Sequence, residues 1–359
     1  MDGQRIAVTV HQDGRVSARR AEDDAQSPDD AVCWSGLDRT LVQLFERWLT
    51  LRDRAWEEDE IRAFGDLLHR CVFPENVWSW VERQLDRGGT TRLSLTFPAD
   101  GHYARLAAVP WEYLHVPDRP GRAGRYLAAA PDIVLSRYIP SESGRGSLRT
   151  EDAVRLLAVV AQPDDGRLGP VDADPVLAEL KGLDPARYHV TECRNPTMDG
   201  LGDALRSARP HLVHFMGHGE FDAERAQGSI ALRREGGGTN WVDDRHLAGL
   251  MQWNRPLPRV VVLHSCDGAR TDFQASFAGL APQLVRAGVQ CVVAMQYAVT
   301  NATAIAFSSA FYAEVAAGRA LDEAVQACRW RISSRHDRDP RLLGVPVVYL
   351  HSRDAVLAP

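Results

Sequence analysis

The chain lacks the paired cysteine spacing on which zinc ribbons and disulfide frameworks are built. Its six cysteines, Cys33, Cys71, Cys193, Cys266, Cys291 and Cys328, are scattered over 359 residues with no Cys-x-x-Cys pair, which argues against both architectures. An excess of positive charge is also missing. With 42 Lys and Arg against 48 Asp and Glu, the formal net charge is -6, so no basic field marks a nucleic-acid backbone as the natural partner. No apolar run approaches the roughly 18 residues a bilayer span needs. The opening MDGQRIAVTVHQDGR has polar residues where a secretory leader would carry its apolar core, so a soluble, cytoplasmic protein without membrane contact is expected. Nor is there a repeat of about 20 to 50 residues, such as a tetratricopeptide array would show.

What is present is an ordinary globular composition, 45% hydrophobic and 25% charged, enough for one large core or two modest ones. IAVTV and VSARR alternate on either side of Asp13-Gly14, the signature of a β-hairpin. From about Leu37 to Leu85 apolar residues recur at helical spacing, with Pro74-Glu75 breaking the run before VWSWVERQL. RLSLTF and IVLSRYI read as strands, and LAAVPWEYL as a compact turn or helix. PSESGRGSLRTED, residues 140–152, is rich in Ser, Gly and charge, and sets an expected boundary between domains 1–149 and 150–359. Beyond it, continuous apolar strands alternate with helices from VRLLAVVAQ to QCVVAMQY. That order predicts an α/β fold with a mostly parallel sheet covered on both faces.

In such a sheet the functional residues gather in loops at the carboxyl ends of strands. Two of the most polar ends are MGHGEF and HSCDGAR. The first sets His218 between Gly217 and Gly219 after the apolar run LVHF; the second sets Cys266 after RVVVL, with Gly268 two residues on. A thiol of pKa about 8.5 is only a few per cent thiolate at neutral pH, so a cysteine nucleophile needs a nearby base, and an imidazole serves. The backbone amides of Gly219 and Cys266 are the expected oxyanion donors. Cys291 and Cys328 sit in apolar or helical contexts and are expected to be packed and inert. His214 alternates with Leu212 and Met216 and is expected in the core. A metal held by His214, His218, His264 and Cys266 is disfavoured, because PHLVHFMGHG reads as strand and turn and the two rings would not share a helical face. SIALRREGGGTNW, residues 229–241, is expected to form a hairpin flap over a peptide groove.

The segments LVHFMGHGEF (212–221), VVVLHSCDGAR (260–270) and GVQCVVAMQYAVTNATAIAFSSAFYAEV, with LAAVPWEYLHVPD, DIVLSRYIP and LLGVPVVYL, resemble the CHAT domain, the caspase-like clan CD peptidase group that includes separase. The resemblance covers nearly the whole chain. It implies a caspase-like mostly parallel sheet flanked by helices, preceded by a smaller α+β non-catalytic subdomain. It implies a cysteine endopeptidase with His218 as base and Cys266 as nucleophile, acting on protein or peptide substrates without metal or cofactor. It also implies control by an activating partner protein in a bacterial defence or cell-suicide setting. The contrasting expectation is a catalytically silent binding or scaffold module of the same shape.

Two departures bear on specificity. Many relatives carry Asn two residues before the cysteine and acidic residues after the strand matched by MQYAVTN, where this chain has His264 and Thr300-Asn301. The expected substrate-binding residues are therefore His264, Gln296 and Asn301, with Asp165 at the first strand end of the second domain. A pocket walled by His264, Gln296 and Asn301 has no fixed acid, so a neutral or apolar residue is expected before the cut.

Overall fold

Gly14 takes φ +81°, a conformation glycine reaches without the Cβ penalty. Around it strand β1 (Gln4–Val10) turns back as β2 (Arg15–Arg20), pairing antiparallel from Ile6↔Arg20 to Val10↔Val16. The hairpin read from the sequence is thus formed. The computed structural model describes residues 3–49, 56–140, 150, 153–166, 168–222, 227–265, 279–297, 299–334, 339–351 and 355–357. The chain divides into two compact units, residues 1–138 with 333–344, and residues 139–332 with 345–359. Most of the linker-like segment 140–152 lies outside the described residues.

In the first unit β3 (Asp30–Ala31) pairs with β2. Three helices follow, α1 (Gly36–Leu49), α2 (Glu58–Val72) and α3 (Glu75–Leu85). Helix α2 starts on a capping box, with Glu57 N–H donating to Glu60 Oε2 at 3.2 Å, and three acidic residues in its first turn suit the helix dipole. Its apolar residues at Ile61, Phe64, Leu68, Cys71 and Val72 are fully buried, as helical spacing requires. Strand β4 (Thr91–Thr96) lies parallel to β1. A 3₁₀ segment at Trp111–Tyr113 precedes the short ribbon of β5 (His115–Val116) and β6 (Arg125–Tyr126). Strand β7 (Ile133–Tyr138) then joins β4 in parallel.

In the second unit β8 (Val154–Ala161), α4 (Asp174–Lys181), β9 (Tyr188–Arg194), α5 (Met198–Ala208) and β10 (Leu212–Gly217) alternate. An antiparallel ribbon of β11 (Gly219–Asp222), β12 (Gln227–Arg233) and β13 (Thr239–Asp243) follows. The chain continues through α6 (Asp244–Trp253), β14 (Val260–Ser265), α7 (Leu280–Arg286), β15 (Cys291–Met295), α8 (Asn301–Ala316), α9 (Leu321–Ser333) and β16 (Pro346–Leu350). The sheet order is β16-β15-β14-β10-β8-β9, parallel throughout except for antiparallel β16. This is the mostly parallel, helix-flanked α/β sheet that the alternating sequence predicts.

Strand alternation divides the side chains between two layers. Val213, Phe215, Val261, Leu263, Val292 and Ala294 join a core with α5, α6, α7 and the β12–β13 hairpin. His214 and His264 point to the opposite layer, where they meet Tyr312 and Phe307 of α8. Cys291 and Cys328 are fully buried, and burial raises both thiols well above their ordinary range, in keeping with inert packing.

Candidate active site

Strands β10 and β14 run side by side, and their register proceeds from Leu212↔Val260 through Met216↔His264 to Gly217↔Ser265. The next residues in the chain are His218 and Cys266. Neighbouring strands are about 4.8 Å apart, so the two segments that carry the candidate chemistry leave the sheet at the same edge. Gly217 has a packing reason to be glycine: a Cβ there would meet the Ala161 carbonyl oxygen and the Phe215 ring at 2.9 Å.

His218 is buried, with 5% of its surface exposed. Its backbone carbonyl accepts from Ala231 N–H of β12 at 3.0 Å, which ties the turn after β10 to the hairpin. Its Nε2 lies 2.8 Å from the carbonyl oxygen of Gly169, in the loop after β8. A carbonyl only accepts, so Nε2 carries the proton and the neutral ring presents its lone pair at Nδ1. Sequence reasoning did not find Gly169, because a backbone carbonyl has no side-chain signature.

Cys266 lies outside the described residues. Gly219 opens β11 opposite Ile230. His264 is fully buried in β14. Gln296 follows β15 with 2% exposure, its N–H donating to the Val345 carbonyl at 2.8 Å. Asn301 is the first residue of α8, and its side chain lies outside the described residues. Asp165 shares the loop after β8 with Gly169 and accepts from Thr239 Oγ1 at 2.9 Å, which couples that loop to the hairpin. It also helps line a cavity of about 380 Å³ with Asp164, Arg194 and Asn195.

Behind the strand ends lies a buried polar chain. His214 Nδ1 is 2.8 Å from Tyr312 Oη, and His214 Nε2 is 3.3 Å from His264 Nδ1; the two rings stack at 5.5 Å. Burial, then the neighbouring His264, drives the His214 pKa well below its ordinary value, and burial takes His264 down to about 4. Both rings are therefore neutral at pH 7. Burial, then Tyr188, pushes the Tyr312 phenol well above its ordinary range, so it stays protonated and able to donate. His214 is in the core as the strand alternation predicted; the sequence reading missed Tyr312, since no local pattern joins residues 98 positions apart. Among the described residues, no group of three or more His, Cys, Asp or Glu is arranged to hold a metal ion, and no helix is long and apolar enough to cross a membrane.

The family model for the CHAT domain matches residues 62–353. The chain belongs to the CHAT domain family. The match takes in β7, β10, β14, β15, α8 and β16, which lie in segments on which the resemblance was read. The CHAT chain is also similar to chains in two crystal structures of the Saccharomyces cerevisiae separase-securin complex, at 3.0 and 2.6 Å, with 14% identity and TM-scores of 0.42 and 0.41. Those alignments cover 82% and 87% of this chain but only 18% and 20% of theirs, so the CHAT chain spans about a fifth of the length of the chains it matches. No curated protein matches it.

Proposed function

We propose that this CHAT domain is a cysteine endopeptidase working through a His218 and Cys266 dyad. The observation that carries the reading is the register of β10 and β14, whose last recorded pair, Gly217↔Ser265, immediately precedes both residues in the chain. In this reading His218 Nδ1 takes the Cys266 thiol proton, and the thiolate sulfur attacks the peptide carbonyl carbon. The backbone amides of Gly219 and Cys266 hold the resulting oxyanion, each such donor being worth about 3 to 4 kcal/mol of barrier. As the C–N bond breaks, His218 returns the proton to the departing amine. Water, deprotonated by the same imidazole, then cleaves the thioester and restores the thiol.

The Gly169 carbonyl holds the imidazole in the tautomer that this sequence of transfers needs. His264, Gln296 and Asn301 form the walls of the substrate pocket, with Asp165 in the loop after β8 as a further substrate-binding residue. The pocket takes a neutral or apolar residue before the cut, because His264, Gln296 and Asn301 carry no fixed acid. Residues 150–359 act as the catalytic half and residues 1–149 as a non-catalytic, regulatory half. The enzyme is cytoplasmic, requires no cofactor, and is a bacterial defence or cell-suicide effector released by a partner protein.

Incubation of wild type and Cys266→Ala with a randomised peptide library, read by mass spectrometry, tests both activity and specificity. Cleavage by wild type alone, after uncharged residues, is expected. Equal cleavage by the variant would remove the nucleophile, and a profile dominated by Arg or Asp would remove the pocket.

A further inference from the structure

The β12–β13 hairpin is fastened to the loops that follow β8, β9 and β10. Ala231 N–H donates to the His218 carbonyl after β10 at 3.0 Å. The backbone N–H and Nε of Arg233 donate to the Pro196 and Asn195 carbonyls after β9 at 3.0 and 3.1 Å. Thr239 Oγ1 donates to Asp165 Oδ2 after β8 at 2.9 Å. Through Ile230, Leu232 and Val242 the hairpin is also packed into the core. An element anchored in a close-packed core is a stiff frame, and both the backbone of His218 and the loop that carries Gly169 are tied to it.

Thr239 differs from its neighbours in burial. Strand alternation sets it on the same face of β13 as Trp241, away from the core residue Val242. Trp241 is 38% exposed there, whereas Thr239 is 7% exposed. A buried hydroxyl requires a partner, and the Asp165 carboxylate supplies a charge-assisted one.

Asp165 carries the restraint onward. Its N–H donates to the Pro163 carbonyl at 2.9 Å, and its own carbonyl accepts from Leu168 N–H at 3.0 Å. Leu168 is joined to Gly169, whose carbonyl accepts from His218 Nε2 at 2.8 Å. Beyond Gly169 the chain is fixed by buried Val171 and Ala173. The tie from Thr239 to Asp165 is thus the upstream half of the support for that carbonyl.

We propose that Thr239 is a positioning residue for His218: through Asp165 its hydroxyl keeps the Gly169 carbonyl against Nε2, so the hairpin sets where the imidazole stands. The inference rests on the reading of His218 as the base, and adds that the hairpin governs the base from a residue that touches neither substrate nor the reacting atoms.

The test uses the full chain labelled with ¹⁵N at its twelve histidines, the His218 ring signal being the one lost in His218→Gln. Thr239→Val keeps the side-chain shape and removes the donor. Water exchange of the His218 Nε2 proton, followed by NMR, is expected to rise about 10-fold in that variant. On a peptide cleaved by wild type, kcat is expected to fall about 3- to 10-fold with KM little changed, and Thr239→Ser to restore both. Arg233→Met, which cuts the side-chain tie to the loop after β9 instead, should exchange at the wild-type rate. Asp165→Asn keeps an acceptor oxygen without the charge, and should exchange at a rate between those of wild type and Thr239→Val. The proposal is overturned if wild type protects no Nε2 proton on His218, if Thr239→Val or Asp165→Asn exchanges as wild type does, if Thr239→Ser behaves as Thr239→Val, if Arg233→Met raises exchange equally, or if exchange rises with kcat unchanged. A wild type that cleaves no peptide would remove the peptidase reading, and the exchange rates would still decide whether Thr239 holds the ring.

Discussion

The Nε2 of His218 lies 2.8 Å from the carbonyl oxygen of Gly169. That single contact joins the loop after β8 to the turn after β10 and assigns the ring its proton. A hydroxyl oxygen in the same position would leave the tautomer open; a carbonyl does not.

The first prediction concerns that proton. Long-range ¹H–¹⁵N correlation at pH 7.5 or above should find neutral His218 protonated at Nε2 with Nδ1 bare. Protonation at Nδ1 would contradict the assigned contact and turn the lone pair away from the position the proposed chemistry needs.

The buried pair of His214 and His264 makes stability depend on pH. Unfolded, each ring titrates near 6.5; folded, His264 titrates near 4 and His214 is also lowered. The unfolded chain therefore binds protons first as the pH falls. The stability these neutral rings support is complete above pH 6.5 and declines as the pH drops from about 6.5 towards 4. Urea denaturation at pH 7.5, 6.0 and 5.0 should show wild type losing stability faster than His264→Phe. Parallel curves would contradict the pair's contribution.

Gly65, inside α2, sets helix propensity against packing. Alanine in a helix interior is favoured over glycine by about 1 kcal/mol. A Cβ at Gly65, however, would stand 2.3 Å from the Tyr113 carbonyl oxygen and 2.6 Å from His115 Cβ. Overpacking typically costs about 1 to 3 kcal/mol, and here the nearest obstacle is backbone, which yields less than a side-chain end. Gly65→Ala should lower the melting temperature; an increase would show that the β5 ribbon shifts freely.

How much of this was legible beforehand follows from the range over which each signal acts. The Asp13-Gly14 turn, the helical spacing of Ile61, Phe64 and Leu68, and the apolar runs of β8, β10, β14 and β15 are local, and each lies where the pattern indicated. The ends of β10 at Gly217 and of β14 at Ser265 were legible for the same reason. Beyond reach were contacts set by tertiary packing. His264 reads as a polar residue at a strand end, yet packing against His214 and Phe307 buries it completely. Tyr113 Oη donates to the Arg341 carbonyl at 2.7 Å, 228 positions away, and residues 333–344 pack within the first unit. No window along the chain contains both partners.

The proposed dyad is tested most directly by site-resolved alkylation with a peptide chloromethyl ketone at pH 7, quantified by mass spectrometry in wild type and His218→Gln. An imidazole beside the sulfur raises its thiolate fraction from a few per cent towards unity, so Cys266 should react about 10-fold faster than exposed Cys33 and lose that advantage in the variant. Equal labelling of Cys266 and Cys33, unchanged by His218→Gln, would contradict the account.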